Sequence, residues 1–113
     1  MNYNLSKINI ANASAGIGFK DAPRNESITF TGFGTIKRPD RESGEIKEIS
    51  ILAAEDGTIY SGDSIVMAGR LEDIYEAVCD EETGVPLKIV GHFADIKCAK
   101  GSATTIVIED IME

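Results

Sequence analysis

The stretch AAEDGTIYSGDSIVMAGRLEDIYEAV, Ala53–Val78, begins with the period of a β-strand and ends with that of a helix. Glu55, Asp56 and Gly57 make a tight turn between two apolar runs, the mark of a hairpin. Thr58–Ser61 then reads as a short strand, with Ile59 inward and Tyr60 outward. Near Asp63 the repeat changes. Met67, Leu71, Ile74 and Val78 recur at helical spacing, with Ala68 and Tyr75 beside them. Asp63 or Ser64 is placed to cap the first turn, since a short side-chain oxygen accepts from free N–H groups there. The spacing predicts a helix from about Ser64 to Cys79, ended through Gly84 and Pro86 of DEETGVP.

Outward from this segment the chain reads as strands. IKEISILAA, Ile46–Ala54, precedes the turn, with Ile49 and Ile51 inward. SITFTGFGTIK, Ser27–Lys37, alternates so that Ile28, Phe30 and Ile36 share one face while Phe33 and Lys37 share the other. Gly32 and Gly34 suggest a strong bend or a close backbone approach. RPDRESGE between these strands is a loop of turn formers. After the helix, LKIVGHFADIK (Leu87–Lys97) places Leu87, Ile89 and Phe93 on one face and Lys88 and His92 on the other. CAKGS is a turn, and ATTIVIEDI is a last strand. Residues 1–26 read as an N-terminal arm with one short strand, and 27–113 as the folded domain.

The order is three strands, a helix, then two strands. This pattern predicts a mostly β fold, a five-stranded OB-like Greek-key barrel whose helix between strands three and four plugs one end. An SH3-like barrel with an inserted helix and an α+β sandwich are the alternatives. The expected core face holds Ile28, Phe30, Ile49, Ile51, Ile59, Ile89 and Phe93. The opposite face then presents Phe33, Lys37, Lys47, Tyr60, Lys88 and His92.

The chain has 113 residues, 42% apolar and 27% charged, with a formal net charge of −8. That length suits one domain, and no apolar run reaches membrane-spanning length. The opening residues lack a basic segment followed by an apolar one, so no secretory signal is read there. Cys79 and Cys98 form no CxxC pair and are expected to be free thiols of a cytoplasmic protein, with a disulfide as the alternative. The acidity opposes broad nucleic-acid binding, but its distribution is uneven. Six acids lie between Glu72 and Glu82, and Glu109, Asp110 and Glu113 close the sequence. Lys37, Arg38, Arg41 and Lys47 cluster early, and Lys88, Lys97 and Lys100 later. Local field decides where a polyanion sits.

Few residues carry catalytic chemistry. His92 is the single histidine and has no G-x-S-x-G elbow; it is expected as a surface strand residue. The thiols are not at ligand spacing, so no metal or other cofactor is expected. AGIGFK and TGFGTI contain G-x-G outside any strand–turn–helix unit, which removes a dinucleotide or P-loop assignment. Glu72 and Asp73 fit a solvated helix face. No enzyme activity is expected. What remains is the sheet face. Phe33 and Tyr60 fall on the polar side of alternating strands, where rings stack on unpaired bases and lysines track phosphates. Packing under the arm or a loop is the plain alternative for both rings.

The segment EDGTIYSGDSIVMAGRLEDIYEAV resembles the core of the small single-stranded-DNA-binding proteins of tailed phages that replicate by protein priming. The resemblance rests on Glu55, Asp56, Gly57, Thr58, Ile59, Tyr60 and Ser61, then Ser64, then Asp73, Ile74 and Glu76, with a similar late turn at Lys100 and Gly101. It covers residues 50–78 and, more loosely, 86–111. The sequence departs from the family at ATTIVIED, where the family has aromatics, and at Ile65 and Val66, where it has a basic residue and a threonine. The resemblance implies a non-specific single-stranded-DNA-binding module acting in phage or plasmid replication, in the host cytoplasm. The expected DNA contacts are Phe33, Lys37, Lys47, Tyr60, Lys88, Lys97 and Lys100. The acidic helix face or the C-terminal end would recruit replication proteins or restrain self-association. A phage structural or adaptor protein without nucleic acid is the alternative.

Overall fold

The computed structural model describes residues 2–40, 42–78, 88–99 and 101–112. In chain order they form β1 (Asn2–Tyr3), α1 (Lys7–Asn12), β2 (Ile17–Gly18), β3 (Ile28–Pro39), β4 (Ile46–Ala54), β5 (Ile59–Gly62), α2 (Ile65–Val78), β6 (Lys88–Cys98) and β7 (Gly101–Met112). Single 3₁₀ turns lie at Ala13–Ala15 and Phe19–Asp21. The five main strands and α2 fall where alternation and helical spacing put them. Ser64 is the cap of α2: its Oγ accepts from the N–H of Met67 at 3.2 Å.

All strands join one curled, half-barrel sheet of order β2-β5-β4-β3-β6-β7, with β1 added on β3. The strand count is seven, not five, because the arm contributes two strands of two residues each. Among the described residues the two edges do not pair, so no closed barrel forms. The reason lies in β5. It has four residues before the chain turns into α2, and its outer edge is taken by β2, with Ile17 opposite Tyr60 and Gly18 opposite Ser61.

A β-bulge sets which side chains enter the core. Phe30 pairs with Ala54 and Gly32 with Ala53, leaving Thr31 as the extra residue. A bulge reverses the alternation beyond it. Phe30 and Phe33 therefore lie on the same, concave side, and Phe33, Leu52 and Tyr60 line up across β3, β4 and β5. α2 lays Met67, Leu71 and Ile74 into this concavity, where they meet Phe30, Phe93 and Ile106. The expected single core face is corrected here. Ile28, Phe30, Ile89 and Phe93 belong to this core, but Ile49, Ile51 and Ile59 belong to a second cluster on the convex side. Ala13, Leu5 and Ile10 of the arm cover it.

The arm is tied down along its length. Tyr3 pairs with Phe33 and stacks on its ring at 5.0 Å between centroids. Asn4, with φ 57°, donates from Nδ2 to the carbonyl of the bulge residue Thr31 at 2.8 Å. A side chain at Gly32 would stand 2.6 Å from the carbonyl oxygen of Asn4, so this crossing needs glycine. α1 is opened by a capping box between Ser6 and Asn9.

Candidate nucleic-acid interface

The two rings expected on the surface are in the core. Phe33 is 1% exposed and Tyr60 5%. The Thr31 bulge turns Phe33 inward. Tyr60 is enclosed because both faces of β5 are covered, one by the arm and one by the main cluster. Stacking on DNA by either ring is therefore corrected. Tyr3, Phe19, Phe30 and Phe93 are also buried and Tyr75 half-buried, so no described aromatic residue stands exposed.

The lysines divide into separate places. Lys37 is exposed opposite Glu48, on the strand face that carries Phe33. Lys47 lies on the other face opposite Arg38, and its Nζ stands 2.8 Å from Asp40 and 3.6 Å from Asp63. The Lys47 ammonium lowers the Asp40 pKa to about 2, helped by the N–H groups of Glu42 and Ser43. Asp40 in turn raises the pKa of Lys47. Lys88 begins β6 and pairs with Glu55. Lys97 is exposed near the far end of the same strand, roughly 30 Å away at strand rise. One patch cannot include both, so Lys88 separates from the expected set. Lys100 lies outside the described residues, as does Cys79, on which the thiol expectation rests.

The structure brings other residues together. Two hollows of about 620 and 550 Å³ meet at Ser61, Gly62 and Asp63 and make one trough around the end of β5. The β6–β7 hairpin walls one side through Asp95 and Thr104. The β3–β4 hairpin walls the other through Arg38, Asp40 and Lys47. The arm supplies the floor through Lys20, Asp21 and Arg24.

Arg24 is a structural clamp. Its guanidinium donates to Asp95 Oδ1 at 3.2 Å from both Nε and Nη2, to the carbonyls of Phe19 and Ala22 at 3.0 and 2.6 Å, and to Thr104 Oγ1 at 3.0 Å. Arg38 donates to the carbonyl of Ile10 at 3.2 Å. Among the described residues, Lys20 lines the trough without an ion pair, and Lys37 and Lys97 stand exposed and without an ion pair on the β3–β4 and β6–β7 hairpins. Sequence reasoning missed Lys20 and Arg24. Their one signal was Phe19, a large apolar residue in an otherwise small and polar arm.

Other chemistry finds little support in the geometry. His92 is half-buried, with Nδ1 3.4 Å from Glu109 Oε2. Ser27 Oγ donates to the same carboxylate at 2.9 and 3.0 Å. The hydroxyl thus bonds the carboxylate and not the imidazole, the reverse of the order that activates a serine nucleophile. Among the described residues, no group of three or more His, Cys, Asp or Glu is placed to hold a metal ion, and no helix is long and apolar enough to cross a membrane. Comparison with family models, curated proteins and solved structures returned no match.

Proposed function

We propose that this chain binds single-stranded DNA without sequence preference, as an OB-like module of phage or plasmid replication. The observation that carries the proposal is the strand order. Taking the main strands alone, the sheet runs third, second, first, fourth, fifth, with the helix after the third. That is the order of an OB barrel left open at its last seam. Its oligonucleotide-binding loops correspond to the β3–β4 and β6–β7 hairpins that wall the trough. The outer face of β4 and β5, the usual seat of the bases, is here under the arm. DNA would therefore follow the hairpins, contacted by Lys20, Lys37, Lys97 and Lys100, with Lys47 shared between phosphate and Asp40. The resemblance of residues 50–78 to the protein-primed phage family supports the same function. The exposed Glu72, Asp73 and Glu76 of α2 would face replication proteins.

A second reading, an adaptor that binds no nucleic acid, is favoured by the burial of the rings and by the trough's own carboxylates. Fluorescence anisotropy with oligo(dT) at low and moderate salt separates the two. Binding through these four lysines gives a log–log salt slope of about −3, and Lys37→Ala or Lys97→Ala flattens it. An absence of binding at low salt leaves the adaptor.

A further inference from the structure

The ring of Tyr60 packs in the core against Phe30 and Phe93, at 6.2 and 5.0 Å between centroids. Its polar end reaches a hollow of about 310 Å³ beside the β4–β5 turn, bounded by Glu26, Ser27, Thr29, Glu55 and Asp56. Tyr60 is 5% exposed; its hydroxyl oxygen is open to the hollow and makes no hydrogen bond with a described residue. Burial, then the negative charges of Asp56 and Glu26, raise its pKa, so the phenol stays protonated. The hollow carries three carboxylates, of which Asp56 and Glu26 act on this hydroxyl. Glu55 is engaged by Lys88, and Asp56 Oδ1 accepts from the N–H of Thr58 at 2.9 Å. Glu26 is exposed and pairs with no described residue.

We propose that this hollow holds a guanidinium group, the side chain of an arginine presented by a partner protein. Its walls offer carboxylate, phenol and hydroxyl oxygens and no cation beyond the Lys88 at its rim. The occupant must therefore be a donor that carries positive charge. A metal ion fits poorly, because Glu26, Glu55 and Asp56 do not converge on one point. A guanidinium presents five N–H groups in a flat fork and reaches acceptors set apart from one another, which a compact ammonium does not. The site is separate from the trough, which opens at the opposite end of β5, so it stands independently of DNA binding.

The test is a ¹⁵N–¹H NMR titration of the folded chain with Nα-acetyl-arginine methylamide, the matching citrulline compound and spermidine. Arginine is expected to give saturable shifts at the amides of Ser27, Thr29, Glu55 and Asp56, and citrulline none. Glu26→Gln, a surface change that spares the fold, is expected to weaken arginine binding about tenfold. Tyr60→Phe, with its fold verified by spectral dispersion, is expected to weaken it as well. Four results overturn the proposal: no saturable shift with arginine, equal shifts with citrulline, spermidine binding as tightly as arginine, or an unchanged affinity in Glu26→Gln.

Discussion

Phe19→Ala tests whether the arm belongs to the core. The ring is 5% exposed and sits 6.1 Å from Phe93 between centroids. It lies flat on Gly62, where an added Cβ would stand 2.7 Å from its Cδ2. Truncating a buried Phe to Ala costs about 3–5 kcal/mol, made of lost transfer free energy and a cavity. Phe19 borders the open 620 Å³ hollow, so water can enter the vacated space and the cavity part shrinks. The expected loss is therefore about 3 kcal/mol. For 113 residues the unfolding entropy near the midpoint is about 240 cal/mol/K, so Tm should fall by about 12 °C. Urea and thermal melts followed by circular dichroism measure both quantities. A loss below about 1 kcal/mol would refute the reasoning, because the arm would then be a loosely applied cover.

Leu71→Ala, which removes the central contact of α2, should cost about 2–5 kcal/mol in the same melts; an unchanged urea midpoint would remove the helix from the core. Ser50 is 0% exposed and its Oγ has no partner among the described residues, so Ser50→Ala should leave stability unchanged or raise it by about 1 kcal/mol, and a clear loss would mean the hydroxyl is bonded. The Asp40–Lys47 pair stabilises the β3–β4 hairpin at neutral pH. Because the folded Asp40 pKa is depressed from 3.8 to about 2, that contribution is present above the unfolded value and is lost as pH falls through about 2. ¹³C NMR of the Asp40 carboxyl should titrate in that window, and a midpoint near 4 would show the pair to be absent in solution.

Strand alternation and helical spacing are local signals, so the five main strands and α2 were legible in the sequence. The sidedness of β3 was not. One extra residue at Thr31 leaves the alternation of Ile28 and Phe30 intact and reverses everything after it, which carried Phe33 from the expected surface to the core. β4 and β5 misled for a second reason. Ile49, Ile51 and Ile59 mark a buried face correctly, but Leu52 and Tyr60 mark another, and alternation cannot rank two buried faces. The arm was illegible because its hold on the sheet is dispersed over Tyr3, Ala13, Phe19 and Arg24, with no periodic run. The lysines could be found by composition, whereas their ion pairs with Asp40, Asp63 and Glu55 depend on strand register.

The arm's long-range contacts have a consequence for how the protein is made. Arg24 bonds Thr104, 80 residues later, and Phe19 packs on Phe93. On a ribosome adding roughly 5–20 residues per second, residues 17–24 emerge several seconds before the strands that hold them. During that interval Phe19 lacks Phe93, and β3 lacks the β6 residues that pair with Ile28–Phe30 along its free edge. The hairpin of β3 and β4 can form early from near neighbours, but the last step joins the two ends of the chain. Folding should therefore be slow for a domain of this size, as expected where distant pairings dominate. A chain halted before β6 would display Phe19 and an open sheet edge together, a state suited to capture by a chaperone or by another nascent copy.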